Sequence, residues 1–186
     1  MGYRTRLGLS DLYSAAAFGY LYGYLPGIVL NHGTRLSALW QHSFGPGVVG
    51  AEGVANPAPR GLTDSMLAQA FAFSSSDQVK LTADYALPIW VGDISWFSPV
   101  AYITHFVLTP HVDYTFFSLE GTLDGGIGTA GFDFTLNMPH LLWLPYETEL
   151  GLTFDWSFGP SAAWLRADDM IPQRPWYLGL IFNVSL

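Results

Sequence analysis

The sequence predicts an all-β fold, an antiparallel transmembrane β-barrel of about eight strands whose C-terminal strand closes the wall. Residues 176–186 set Trp176, Leu178, Leu180, Phe182, Val184 and Leu186 on one face and Tyr177, Gly179, Asn183 and Ser185 on the other. Such period-two alternation running to an apolar last residue is how a barrel-closing strand reads. Half of the 186 residues are apolar and 16% aromatic, while 12% are charged, against about 25% in an ordinary soluble domain. Gly, Pro, Asp or His interrupts every apolar stretch before the roughly 18 residues a membrane helix needs. The chain therefore has the composition of a membrane protein without a helical span.

The earlier strands follow in order. Residues 3–10 alternate Tyr3, Thr5, Leu7 and Leu9 with Arg4, Arg6, Gly8 and Ser10, and residues 12–24 are aromatic and Gly/Ala-rich. Residues 34–44 set Leu36, Ala38, Trp40 and Phe44 against Arg35, Ser37, Gln41 and Ser43, with Leu39 and His42 on the unexpected faces. In 79–89, Val79, Leu81, Ala83, Tyr85, Leu87 and Ile89 oppose Lys80, Thr82, Asp84, Ala86 and Pro88. Residues 100–117 carry Tyr102, Phe106, Leu108, Val112, Tyr114 and Phe116 opposite His105, Thr109, His111 and Asp113. Residues 126–138 repeat the scheme with Phe132, Phe134, Leu136 and Met138 against Thr129, Gly131, Asp133, Thr135 and Asn137. In 146–158, Tyr146, Leu150, Leu152, Phe154, Trp156 and Phe158 oppose Glu147, Glu149, Thr153, Asp155 and Ser157.

Loop lengths set the expected orientation, because outer-membrane barrels keep short turns in the periplasm and long loops outside. Counting back from a periplasmic C-terminus puts 45–78, 118–125 and 159–175 outside and 25–33, 90–99 and 139–145 inside. The two longest connections fall outside, and Trp90, Trp96, Trp143, Trp156 and Trp176 fall near strand ends, where aromatic girdles form. Residues 1–186 are accordingly expected to be one transmembrane barrel domain, or part of a larger barrel, with 45–78 as its long extracellular loop. Residues 66–73 are expected to add a short strand or helix within that loop. Strand-like sequence starts at once after Met1, with no charged and apolar leader. That fits a removed or omitted signal, or a piece of something longer.

Several classes are excluded or left without a signal. The net charge of −8 opposes nucleic-acid binding, which needs a basic surface to displace counterions. With no Cys, disulfide frameworks and thiolate metal sites are absent. His105, His111, Asp133, Glu147, Glu149, Asp155 and Lys80 all take the polar parity of their strands and are expected to line the lumen. Ligand-type residues on neighbouring strands are what any polar lumen offers, so no metal or other cofactor is assigned.

The order Pro59-Arg60-Gly61-Leu62, then Asp84-Tyr85-Ala86-Leu87-Pro88, then Asp113 resembles the C-terminal half of the barrel in the bacterial surface-antigen superfamily, the outer-membrane assembly and secretion barrels of the BamA and TamA type. Barrel segments of large Bacteroidota-type outer-membrane proteins with a TolB-like propeller are the more similar still. The resemblance spans roughly residues 30–186, and it departs at Pro59, Leu62 and Leu186, where the family carries a β-branched residue, an aromatic and, most often, Phe. It implies an inward-folded loop whose Arg60 forms an ion-paired latch with Asp84 and Asp113. Physics agrees on types: both aspartates take the lumen parity, an Arg fork can hold two carboxylates, and Gly61 permits the positive dihedral of an inward turn.

The resemblance implies protein translocation, insertion or scaffolding in the bacterial outer membrane, without chemistry of its own. The alternatives are a passive structural barrel or a lipid-modifying barrel enzyme, for which His42-Ser43, His140, His105 and His111 supply the residue types. The expected partners are outer-membrane lipid and, if eight strands do not close alone, a second copy or another chain. Self-closure is the expectation.

Overall fold

The computed structural model describes residues 2–5, 15–44, 57–63, 65, 77–96, 101–118, 125–141 and 147–185. They form one antiparallel sheet: β1 (Gly2–Thr5), β2 (Ala15–Pro26), β3 (Gly33–Phe44), β4 (Asp77–Trp96), β5 (Ala101–Phe117), β6 (Gly125–Met138), β7 (His140–Leu141), β8 (Glu147–Phe158) and β9 (Trp176–Ser185). Neighbours in sequence are neighbours in space, in the order β1-β2-β3-β4-β5-β6-β8-β9, with the two-residue β7 pairing β5. One short helix, α1 (Ala162–Ala167), lies in the β8–β9 connection. No helix among the described residues is long and apolar enough to cross a membrane.

The alternation read from the sequence becomes two faces of opposite chemistry. Leu81, Phe116, Phe132, Leu152, Trp156 and Phe182 are exposed, whereas Gln78, Asp84, His111, Asp113, Thr129 and Asp155 are buried. Leu180 on β9 is 84% exposed, while Asp113 on β5 is fully buried. A water-soluble sheet protein buries its apolar face, so this sheet is inverted. Leu39 does face the polar side, where it is buried beside Gln41, and His42 takes the apolar side next to Trp40.

Four expectations need correction. The β4–β5 turn does not begin at residue 90: β4 runs on to Trp96, with register slips between Pro88 and Trp90 and between Val91 and Ile94. The bulges let a strand containing Pro88 continue, because the missing amide falls where pairing is already irregular. Residues 139–145 are not all turn, since β7 forms there, and 159–175 contains α1. The expected closure of the wall by the last strand is absent from the ladder: among the described residues β9 pairs with β8 and β1 with β2, leaving two sheet edges. Residues 66–73 lie outside the described residues.

Register places Arg35, Asp84, His111, Gly131, Asp155 and Tyr177 in one row across β3, β4, β5, β6, β8 and β9. From that row to the strand end near the 57–63 segment there are six residues in β5 (His111 to Phe117), three in β8 (Asp155 to Phe158) and one in β9 (Tyr177 to Trp176). The ends step steadily along the sheet. A drift of about one and a half residues per strand corresponds to strands inclined by roughly 45°.

A small apolar core sits at that end of the polar face, where Ala58 and Leu62 pack with Phe117, Ile127, Ala162, Leu165 and Ile171. Phe117, Ile127 and Leu165 are completely enclosed, each contributing about 1.5–3 kcal/mol of burial. Ser161 straps the helix to the sheet: its Oγ accepts from Gly126 N at 2.9 Å and its amide donates to Gly126 O at 3.2 Å. The core thus fixes two connections, residues 57–63 and 159–175, against the ends of β5 and β6.

Candidate functional site

The segment Pro57 to Thr63 lies on the polar face and is held there by its own backbone. Thr115 Oγ1 donates to Pro57 O at 2.6 Å, Lys80 Nζ donates to Ala58 O at 2.8 Å, and Arg60 N donates to Asp113 Oδ2 at 3.2 Å. Gly61 then turns with φ +71°, a left-handed conformation that costs an L side chain energy. A Cβ there would also lie 3.1 Å from Asp155 Cβ. The turn delivers Arg60 into the sheet's row of carboxylates.

The structure brings Arg60, Gly61, Asp84 and Asp113 together. Arg60 Nη2 donates to Asp84 Oδ1, its Nε lies 3.6 Å from Asp113 Oδ2, and its Nη1 lies 3.7 Å from Asp133 Oδ2. One guanidinium therefore serves carboxylates from β4, β5 and β6, which a point-charge ammonium could not do with the same geometry. Lys80 Nζ stands 3.2 Å from Asp113 Oδ2, and Arg35 bonds the other oxygen of Asp84 through Nε at 2.7 Å and Nη2 at 2.6 Å.

His111 extends the network to β8: its Nε2 lies 2.7 Å from Asp155 Oδ1 and its Nδ1 3.6 Å from Asp133 Oδ2. Three fixed cations, Arg35, Arg60 and Lys80, thus face four carboxylates, Asp84, Asp113, Asp133 and Asp155. Ion pairs this buried repay their desolvation only when several hydrogen bonds hold each member. That condition is met at Asp84, which receives both Arg35 and Arg60.

The other sequence candidates stand apart. His105 at the far end of β5 meets Thr104 Oγ1 at 3.0 Å and Asn137 Nδ2 at 2.7 Å. Glu149 pairs in register with Asn183, and Glu147, exposed, with Ser185. On the apolar side, His42 Nδ1 lies 2.7 Å from Asp77 Oδ1 and its ring stacks on Trp40 at 6.5 Å. The side chains of Ser43 and His140 lie outside the described residues. Among the described residues no group of three or more His, Asp or Glu is arranged to hold a metal ion.

Sequence reasoning put Arg35 and Gly131 on the polar parity of their strands but gave neither a part in the site. Arg35 carried a signal, its polar parity within 34–44, whereas nothing local marks Gly131 as the gap over which His111 and Asp155 meet. A cavity of about 410 Å³ adjoins the network, lined by Arg60, Asp133, Thr153, Asp155, Tyr177 and Ile181 among others. It reaches the edge strand β9. The chain matches no protein-family model, no curated protein and no solved structure.

Proposed function

We propose that this chain forms part of the wall of a bacterial outer-membrane β-barrel, with the apolar face toward lipid and the polar face toward the lumen. The observation that carries the reading is the inversion of the sheet: Leu81, Phe132, Leu152 and Leu180 exposed on one side, an ion-pair network buried on the other. In water that arrangement would expose the wrong face; in lipid it exposes the right one. The stagger of the strand ends supports the same reading, because closing a sheet into a barrel requires tilt and shear.

Within that barrel, Arg60 is a latch that keeps residues 57–63 folded into the lumen, where the segment occupies space a solute would otherwise cross. The role this supports best is protein translocation, insertion or scaffolding in the outer membrane, with no chemistry of its own. The lipid-modifying alternative has one observation in its favour, the His42 and Asp77 pair at 2.7 Å beside Trp40, since a carboxylate orienting a histidine is the arrangement a base needs.

The test is solubility and reconstitution. The barrel reading expects a chain that requires detergent, inserts into liposomes and retains its β spectrum there. A chain that stays soluble without amphiphile would overturn it. Release of fatty acid from phospholipid vesicles by the reconstituted chain, abolished by His42→Ala, would instead favour the enzyme.

A further inference from the structure

We propose that His111 is the proton-binding residue of the latch, so that segment 57–63 is held while both ring nitrogens carry hydrogen and released when one proton is lost. This rests on the lumen latch described above and adds what controls it. The first ground is the direction of the hydrogen bonds. Nε2 lies 2.7 Å from Asp155 Oδ1, while Nδ1 lies 3.3 Å from Thr109 O and 3.6 Å from Asp133 Oδ2. All three oxygens are acceptors. A neutral imidazole has one nitrogen that donates and one that accepts, so either tautomer turns a lone pair on oxygen. Only the imidazolium presents a hydrogen on both sides.

The second ground is charge. Asp155 is 2% exposed, and among the described residues His111 is the one cation-forming side chain paired with it. Arg35, Arg60 and Lys80 carry three charges against four on Asp84, Asp113, Asp133 and Asp155. An imidazolium at position 111 brings the sum to zero. A neutral ring leaves one carboxylate uncompensated in the interior, which burial penalises heavily.

The groups around the ring come from every neighbouring element. Lys80 and Asp84 belong to β4, Asp113 to β5 itself, Asp133 to β6 and Asp155 to β8, with Arg35 and Tyr177 at the two ends of the row. Arg60 enters from the segment above and opposes the proton. Asp133 and Asp155 favour it, both within 3.6 Å of a ring nitrogen.

The third ground is that both of these carboxylates also carry the segment. Asp133 Oδ2 is shared, 3.6 Å from His111 Nδ1 and 3.7 Å from Arg60 Nη1. Asp155 underlies the turn, where a Cβ added at Gly61 would meet its Cβ at 3.1 Å and its Oδ2 at 3.2 Å. Once the proton leaves, the buried carboxylate needs water, and water reaches it when the segment lifts. The 410 Å³ cavity bordered by Arg60, Asp133 and Asp155 is the route. Acid therefore closes the latch and alkali opens it, because the closed state binds a proton that the open, hydrated state releases.

The test uses the full chain folded in detergent. With 15N-labelled histidine, the His111 ring signals, identified by their absence in the variants below, are expected to show two protonated nitrogens at about pH 7.5, where a free histidine is mostly neutral. Cleavage within 57–63, divided by that of the denatured chain at the same pH, is expected to rise about tenfold or more between about pH 6 and about pH 9. His111→Gln is expected to be cleaved fast at both. His111→Gln combined with Asp155→Asn removes one charge of each sign and keeps a hydrogen-bonding pair, and is expected to resist cleavage at both. A single protonated nitrogen at about pH 7.5, or cleavage that ignores pH while Arg60→Ala still opens the segment, would overturn proton control and leave the latch standing. Arg60→Ala without effect on cleavage would remove the latch itself.

Discussion

His111 on β5 and Asp155 on β8 meet at 2.7 Å across an intervening strand, directly over Gly131 of β6. The two strands are separated by two inter-strand steps, about 10 Å, and the side chains span them because the residue between has none. A buried imidazole and a buried carboxylate thereby satisfy each other.

Gly131→Val is expected to lose this contact and to strain the sheet. A Cβ at Gly131 would lie 1.9 Å from Phe154 O, so β6 and β8 must shift apart. The expected cost is about 1–3 kcal/mol, the range for overpacking, read from urea unfolding in detergent. Gly23→Ala serves as control, since a Cβ there meets nothing within 4 Å, and is expected to change stability by less than about 0.5 kcal/mol.

Arg60→Ala leaves Asp84 with Arg35 and deprives Asp113 of one of its two cations. Breaking a desolvated pair costs on the order of 3–5 kcal/mol, less where water enters, and Arg60 is 26% exposed. The expected loss is therefore at the lower end, with faster proteolysis of residues 57–65. A double-mutant cycle with Asp84→Asn should give a coupling of about 1 kcal/mol or more. Independent effects would remove the latch.

Gly61→Ala is expected to loosen the same segment without touching a charge. The φ of +71° and the 3.1 Å approach to Asp155 Cβ together predict a loss of about 1–2 kcal/mol. Comparable protease sensitivity in Gly61→Ala and Arg60→Ala would show that turn and ion pair hold one structure.

Leu180→Arg separates lipid from water as the solvent of the apolar face. Leu180 is almost fully exposed, so in water the change would be nearly neutral. Against lipid it is expected to cost about 2–4 kcal/mol near mid-membrane, measured by refolding yield into vesicles.

Much of the fold was legible because alternation is a local property. β3, β5, β6, β8 and β9 begin and end within two residues of the stretches read from the sequence. Asp84 and Asp113 were placed on one face by parity alone, and Gly61 was marked as a turn by residue type. The end of β4 was placed too early, at Ile89, because the bulges that carry the strand on to Trp96 depend on the partner strand.

By itself, then, the sequence determined which residues share a face and which face is apolar, since the pleat assigns both with no knowledge of neighbours. Only the tertiary structure decided that Arg35 joins Arg60 on Asp84, that Gly131 is the gap beneath His111 and Asp155, and that β1 and β9 stand as edges. Those facts depend on register between strands up to about fifty residues apart in the chain. Register is set by the packing of whole strands and by the loops that join them, and no short stretch of sequence carries it.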